Sequence, residues 1–184
     1  IDILASEKIG IEGRANFYEG VGALRDIVQS HLLQLLALVT MELPKALDNS
    51  DSIHAAKQAL LKAVQPADPK KAVRAQYETY QKEVGVSDSV TETFASLNLH
   101  IDNRRWKNVP ITITTGKNLS EKKTEITLTF ANADDTQTNA LTFRLQPNEG
   151  IHLELCVKRP GFEHEIEHAV MDFSYRGKFG EGNH

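Results

Sequence analysis

The chain has 184 residues and a mass of 20.5 kDa, which is enough for a real hydrophobic core in one large domain or two small ones. Hydrophobic residues make up 40% of the chain and charged residues 25%, values that exclude a disordered or fibrous protein. The net charge of -4 and the pI of about 6.0 argue against nucleic acid as the main partner, because proteins that bind it usually carry a basic surface.

Cysteine usage and apolar runs indicate the compartment. The single cysteine, Cys156, excludes an internal disulfide framework and a cysteine-based zinc site, and it fits a reducing cytosol. The longest apolar run, residues 32–41, is interrupted by Gln34 and Thr40 and is shorter than the roughly 20 residues that a membrane span needs. We therefore expect a cytoplasmic protein with neither a membrane nor a nucleic-acid partner.

The first half of the chain is predicted to be helical. Between residues 22 and 41 apolar side chains recur at steps of three and four, and this stripe widens to an all-round apolar surface at the C-terminal half. A helix that is apolar all round is buried, so we expect this to be the central helix, ended by Pro44. A second helix is predicted over residues 53–64. Its N-cap is expected among three polar residues, Ser50, Asp51 and Ser52.

From residue 94 onward the hydrophobic period changes to two, which predicts β-strands. This alternation favours an antiparallel sheet with one face on a core. Helices followed by a run of strands is the α+β order, and since helix and sheet must share one core, we expect a single domain. The tail, residues 177–184, is predicted to be a loop. Six segments carry the alternation, at residues 94–101, 109–114, 124–130, 140–145, 151–157 and 168–175.

One histidine lies on the apolar line of the first predicted helix. This residue, His31, follows Asp26 by five positions, which is about 140° around an α-helix. A neutral imidazole in a dry cleft is a good general base near pH 7, and both side chains can face a site at the N-terminal half of the helix. The alternative is a core histidine that is satisfied by a backbone carbonyl.

A basic turn separates two of the predicted strands. Gly116-Lys117 is followed by Lys122 and Lys123, and lysines can hold a phosphate group as point charges. A solvated hairpin is the alternative interpretation of this turn. A second turn, residues 146–150, contains the proline and glycine that β-turns commonly use.

The sequence contains no motif that indicates a metal site or a dinucleotide-binding loop. His164 and His168 stand four apart among glutamates, and we interpret this segment as a solvated charged loop rather than a ligand pair. Gly20-Val21-Gly22 lacks the third glycine and the preceding strand of a dinucleotide signature.

Six short stretches stand in a distinctive order and cover nearly the whole chain. They are residues 12–14 (EGR), 25–34 (RDIVQSHLLQ), 41–44 (MELP), 105–110 (RWKNVP), 116–117 (GK) and 144–149 (RLQPNE). Each is weak by itself, but together and in this order they resemble the C-terminal domain of glucose-6-phosphate dehydrogenase. The resemblance implies an α+β fold with a large, mostly antiparallel sheet and helices packed on one face.

The resemblance also implies roles for individual residues. His31 would be the catalytic base, removing the proton from the anomeric hydroxyl of glucose 6-phosphate while hydride leaves the same carbon for NADP. Substrate-binding roles fall on five residues, Glu7, Asp26, Lys117, Lys122 and Gln146. A second, structural NADP site would use Lys123 and Arg144, although Thr114 stands where some members have arginine. Ser30 replaces the family's asparagine just before the base.

The family further implies a homodimer that forms through the large sheet. The family's N-terminal Rossmann domain is absent from this chain, and so is the Arg-Ile-Asp-His-Tyr-Leu-Gly-Lys segment that grips the substrate phosphate. We therefore expect residues 1–184 to be a substrate-binding and dimerisation domain, cut at both ends and inactive alone. The full-length protein would be an NADP-dependent oxidoreductase of the pentose phosphate pathway, forming 6-phosphogluconolactone.

Two other interpretations come from different classes of protein. The chain could be a non-catalytic assembly or regulatory protein with the same fold. It could also be an unrelated α+β module that binds sugar phosphates, which would place the helix with His31 far from the turn with Lys117.

Overall fold

The computed structural model describes residues 1–131, 138–161 and 165–179. Their contacts divide the chain into two compact units. The N-unit is Ile3–Lys122, and the C-unit is Ile1–Asp2 together with Lys123–His184.

The N-unit combines helices with a small sheet. Its strands follow the order β2-β4-β5-β1, and β3 also pairs with β4. Strand β4 runs antiparallel to β2, β3 and β5, with Leu97 opposite Ile113. The elements are β1 (Asp2–Ser6), α1 (Ala15–Tyr18), a π-helix (Leu24–Leu32), α2 (Leu33–Thr40), α3 (Ser50–Ala63), β2 (Val64–Gln65), β3 (Val73–Ala75), α4 (Tyr80–Val84), β4 (Phe94–Ile101) and β5 (Ile111–Gly116).

Strands β4 and β5 contribute buried side chains to the core of the N-unit. Ile111 and Ile113 of β5 are buried, and so are Leu99 and Ile101 of β4. Strand β5 contacts the π-helix. The alternating side chains of the strands therefore cover the helix that carries the candidate base.

The helix predicted over residues 22–41 is present, but it has two forms. Its first part is a π-helix, in which backbone bonds join residues five apart, and the amide of Leu33 donates to the Val28 carbonyl. The hydroxyl of Ser30 donates to the carbonyl of Asp26. The expected all-round burial is wrong, because Leu38 is 49% exposed. A single buried stripe remains, formed by Val28, Leu32, Leu36, Ala37 and Thr40.

The second predicted helix, α3, begins three residues earlier than expected. Its N-cap is Asn49, whose side chain accepts from the amides of Asp51 at 2.9 Å and Ser52 at 3.2 Å, so the prediction of a later cap is wrong. The C-terminal end of α2 is fixed by a tryptophan that lies outside the helix. The indole of Trp106 donates to the Thr40 carbonyl at 2.7 Å.

The C-unit is an antiparallel meander with the strand order β6-β7-β8-β9. All four predicted strands of this unit lie within one or two residues of the observed bounds, and the α+β prediction is confirmed. Residues 177–179 belong to a short helix, so the predicted loop is wrong there; residues 180–184 lie outside the described part. The elements are β6 (Lys123–Thr129), β7 (Ala140–Gln146), β8 (Gly150–Lys158), β9 (Ile166–Ser174) and α5 (Tyr175–Phe179).

Candidate active site

A buried lysine and a glutamate meet just beyond the ends of β1 and β5. The amide of Glu7 donates to the Gly116 carbonyl, and the amide of Lys117 donates to the Thr93 carbonyl, both at 2.9 Å. These bonds bring the two side chains together, and the Lys117 ammonium donates to the Glu7 carboxylate. Lys117 is only 4% exposed, so the solvated-hairpin interpretation is wrong for this residue. Lys122 is exposed in the same turn.

The start of the π-helix is fixed by Glu92, a residue that sequence reasoning missed. Its carboxylate accepts from the Leu24 amide and its carbonyl accepts from the Ala23 amide, each at 2.9 Å. A carboxylate at a helix N-terminus is also favoured by the helix dipole. Gly22 precedes the helix with φ of 68°, and a Cβ at this position would lie 2.6 Å from Oε1 of Glu92. Gly22 is therefore needed to make room for the Glu92 cap, and not to bind a dinucleotide.

The π-helix brings two predicted site residues to one face. Asp26 and His31 are five residues apart, which is the step that π-type backbone bonds join. They therefore stack along the helix instead of lying about 140° apart as in an α-helix. His31 is exposed. The alternative of a core histidine is therefore wrong, while the role of His31 as a base stays a prediction.

Tyr18 lies beside the Lys117–Glu7 pair, and sequence reasoning did not single it out. The Lys117 ammonium is 5.4 Å from the centre of its ring. Burial raises the pKa of the Tyr18 phenol well above its usual range, and the nearby carboxylates of Asp26, Glu92 and Glu7 raise it further. The Lys117–Glu7 pair thus lies beside this buried ring, and the Asp26 carboxylate acts on its phenol electrostatically.

A second layer of contacts holds this ring in place. Tyr18 packs edge-on against Tyr80, with the ring centres 6.1 Å apart. The Tyr80 hydroxyl donates to Glu19 at 2.7 Å, and the Ser89 hydroxyl donates to the same carboxylate oxygen at 2.9 Å. The bond from Tyr80 lowers the pKa of Glu19, because it stabilises the ionised form.

The remaining predicted residues belong to the C-unit. Gln146 is exposed at the end of β7. The Lys123 ammonium lies 2.7 Å from the Glu125 carboxylate. Arg144 donates to both oxygens of Asp172, at 2.6 and 2.8 Å. Both cations predicted for structural NADP are therefore paired with carboxylates.

The ion pair of Arg144 is part of a larger cluster on the sheet. His152 lies between two carboxylates, with Nδ1 2.9 Å from Asp172 and Nε2 3.1 Å from Glu154. These contacts raise the pKa of His152, Asp172 contributing most, and the histidine in turn lowers the pKa of Asp172, with Arg144 adding to the effect. We call these four residues the His152 cluster.

The described ranges contain neither a metal-binding cluster nor a membrane-spanning helix. No group of three histidine, cysteine, aspartate or glutamate side chains there is arranged to hold a metal ion. None of the helices formed by those residues has the length and apolar character needed to cross a bilayer.

Comparison with known proteins identifies the family. A family model described as "Glucose-6-phosphate dehydrogenase, C-terminal domain" matches residues 1–184. The chain belongs to this family. The resemblance inferred from the six short stretches is thereby confirmed.

Individual relatives of the glucose-6-phosphate dehydrogenase family agree with this assignment. The glucose-6-phosphate 1-dehydrogenase of Dictyostelium discoideum is 40% identical over 195 residues, which are 97% of this chain and 39% of that protein. The enzyme of the same name from Gluconobacter oxydans is 41% identical over 201 residues, covering 98% and 41%. A solved structure described as "Glucose-6-phosphate dehydrogenase in complex with its substrate glucose-6-phosphate" matches with a TM-score of 0.87 and 35% identity, covering 97% of this chain and 40% of that one. The chain thus spans about two fifths of the length of these dehydrogenases.

Family membership gives a reason to test the His152 cluster as a nucleotide site. Arg144 is the cation that could hold a phosphate there, but its Nη2 already donates to both oxygens of Asp172, while its Nε is buried and makes no hydrogen bond. Glu154 and Asp172 add negative charge that would repel a phosphate. As arranged, these residues do not fit a nucleotide phosphate unless the ion pairs open.

Proposed function

We propose that this chain is the substrate-binding and dimerisation domain of a glucose-6-phosphate 1-dehydrogenase. The full-length protein would oxidise glucose 6-phosphate to 6-phosphogluconolactone. The observation that carries the proposal is the Lys117–Glu7 pair beside the buried ring of Tyr18 in a chain of this family. A solved relative described with glucose 6-phosphate bound supports the choice of substrate.

The π-helix supplies the proton-transfer side of the proposed reaction. The exposed imidazole of His31 accepts the proton from the anomeric hydroxyl. Asp26 lies on the same helix face. It accepts hydrogen bonds from sugar hydroxyls and so orients the sugar ring for that transfer. NADP, when bound, takes the hydride from the anomeric carbon.

The corner of Lys117 and Glu7 supplies the binding side. A lysine ammonium has three donors and Glu7 occupies one, so the others can bind substrate oxygens. The Glu7 side chain is 32% exposed, which leaves it accessible to sugar hydroxyls. Lys122 is exposed in the same turn as Lys117, and Gln146 is exposed at the end of β7. The substrate-binding role of each stays a prediction.

The exposed apolar side chains of β9 support the proposed homodimer. Val170, Met171 and Phe173 are 57%, 63% and 41% exposed, which is unusual for large apolar residues of one strand. We expect a cytoplasmic homodimer that forms through this sheet. The assignment of Lys123 and Arg144 to structural NADP stays a prediction, and it requires their ion pairs to open.

The test is a histidine substitution in the full-length gene product. We expect His31→Asn to lower kcat by roughly 100- to 10,000-fold, because that is the range that general bases contribute. The KM for glucose 6-phosphate should change little. His54→Asn is the matched control, since His54 is exposed on α3. NADPH formation at 340 nm measures both.

Two outcomes would separate the proposal from its rival. If His31→Asn and His54→Asn have equal activity, His31 is not the base. If the unaltered full-length product forms no NADPH, the interpretation as a non-catalytic assembly or regulatory protein replaces the enzyme. We also expect residues 1–184 alone to be inactive, and measurable NADP reduction by them would contradict this.

A further inference from the structure

The ring of Tyr18 is placed to act on one cation. Its side chain is 0% exposed, at the end of α1. The Lys117 ammonium lies 5.4 Å from the ring centre, within the roughly 6 Å at which a cation is attracted to an aromatic ring. Tyr80 packs against the ring edge-on and restricts its orientation.

The hydroxyl of Tyr18 contributes nothing visible to this contact. It is buried and makes no hydrogen bond. Burial and the surrounding carboxylates keep it protonated, so it carries no charge that could attract the lysine. A buried hydroxyl without a partner is a cost to the fold. The ring, rather than the hydroxyl, is therefore the part of Tyr18 that acts on Lys117.

Without the Tyr18 ring, the Lys117 ammonium would lack a second contact. Its ammonium stands on a flexible four-carbon stem, and Glu7 is the one carboxylate with which it pairs among the described residues. Glu7 is partly exposed and can itself move toward a sugar. A fixed aromatic face would hold the ammonium in position while the carboxylate exchanges partners.

We propose that Tyr18 is a positioning residue, and that the face of its ring holds the Lys117 ammonium where the substrate meets it. The consequence for turnover rests on the proposed function, whereas the placement of Lys117 does not. The chemistry required at position 18 is an electron-rich ring, with or without a hydroxyl.

The first experiment uses the full-length gene product with three variants. Tyr18→Leu removes the ring and should raise the KM for glucose 6-phosphate about tenfold, leaving the KM for NADP unchanged. Tyr18→Phe restores the ring and should recover the KM. Phe17→Leu is the matched control, because Phe17 is the neighbouring aromatic residue of α1 and is 53% exposed.

A double-mutant cycle separates positioning from general damage. Adding Tyr18→Leu to Lys117→Met should raise the KM no further, since the ring then has no ammonium to hold. A full additional tenfold loss in the double variant would overturn the proposal. So would a Tyr18→Phe variant as weak as Tyr18→Leu, because the hydroxyl would then carry the effect.

A second measurement does not depend on activity. In protein labelled with ¹³Cε-lysine, the ε-methylene signal of Lys117 is assigned by its loss in Lys117→Met. Protons above a ring face resonate upfield, so Tyr18→Leu should move this signal downfield and Tyr18→Phe should not. An unchanged signal in Tyr18→Leu overturns the placement, even if the gene product proves to have no dehydrogenase activity.

If Tyr18→Leu does not fold, a series of fluorinated phenylalanines at position 18 replaces it. Added fluorine atoms keep the shape of the ring while they make its face less negative. The KM should then rise stepwise with fluorine number. A KM independent of fluorination would overturn the proposal.

Discussion

The N-unit and the C-unit place their charged groups differently. In the N-unit Lys117 is 4% exposed and its neighbours include the fully buried Tyr18. In the C-unit the Arg144 and Asp172 side chains are 29% and 42% exposed, although Nη2 of Arg144 contacts both carboxylate oxygens. A buried charge must be placed by the fold, whereas an exposed pair contributes little to stability and can rearrange.

Two strands show the same contrast for apolar residues. Isoleucines of β5 are buried in the N-unit, while valine, methionine and phenylalanine of β9 are exposed in the C-unit. Strand β5 therefore belongs to a core, and β9 presents a surface. Three substitutions, each with a matched control, test this comparison.

The largest effect is expected from apolar truncation. Ile113→Ala should lower the free energy of unfolding by about 3 kcal/mol, because Ile113 is 0% exposed and its loss leaves a cavity. Val170→Ala in β9 should change it by less than about 0.5 kcal/mol. Urea denaturation measures both. A dimer-forming β9 would reveal itself by making the Val170→Ala effect depend on protein concentration.

The next effect concerns the glycine before the π-helix. Gly22→Ala should cost about 2 kcal/mol, since φ of 68° disfavours alanine and its Cβ would displace the Glu92 cap. Gly20→Ala is the control, because its Cβ would meet the Phe17 carbonyl at an ordinary 3.8 Å. Equal thermal shifts for the two variants would show that the cap does not constrain this turn.

The smallest effect is a pH dependence in the C-unit. The pKa of His152 is raised in the folded protein. The stability that His152 contributes is therefore fully present at pH values below the ordinary histidine pKa, and it is lost as the pH rises through the raised pKa. His152→Gln should therefore be more destabilising near pH 5.5 than near pH 9.

The control for this pH dependence is His168→Gln, since His168 faces the Cys156 sulfur at 3.8 Å rather than a carboxylate. Urea denaturation at both pH values measures each variant. A His152→Gln effect that is flat with pH would show that the His152 cluster does not hold together in solution.

The sequence predicts regular strands well and local exceptions poorly. Strand β4 was predicted with its observed bounds, because alternation is a property of neighbouring residues. The π-helix was not predicted, since its apolar stripe resembles that of an α-helix over two turns. Strand β1 was missed as well, although it is the element that leads to Glu7.

The site divides in a similar way. The roles of His31, Asp26 and Lys117 are predicted from the order of family stretches, which needs no knowledge of contacts, and they stay predictions. Tyr18 and Glu92 were missed because their partners are distant in sequence. Leu24 and Glu92 are 68 residues apart, and no local pattern marks such a bond. Only the fold shows which buried polar residues meet.

The π-helix also affects how the chain tolerates changes in length. In an α-helix, removing one residue turns everything beyond it by about 100°. Here, deleting one residue between Asp26 and His31 would leave them four apart, and closure of the π-helix to an α-helix would return both to the same side. The paired positions are thus compatible with two spacings. Sequence comparison across this helix should therefore allow a one-residue gap before rejecting a relative.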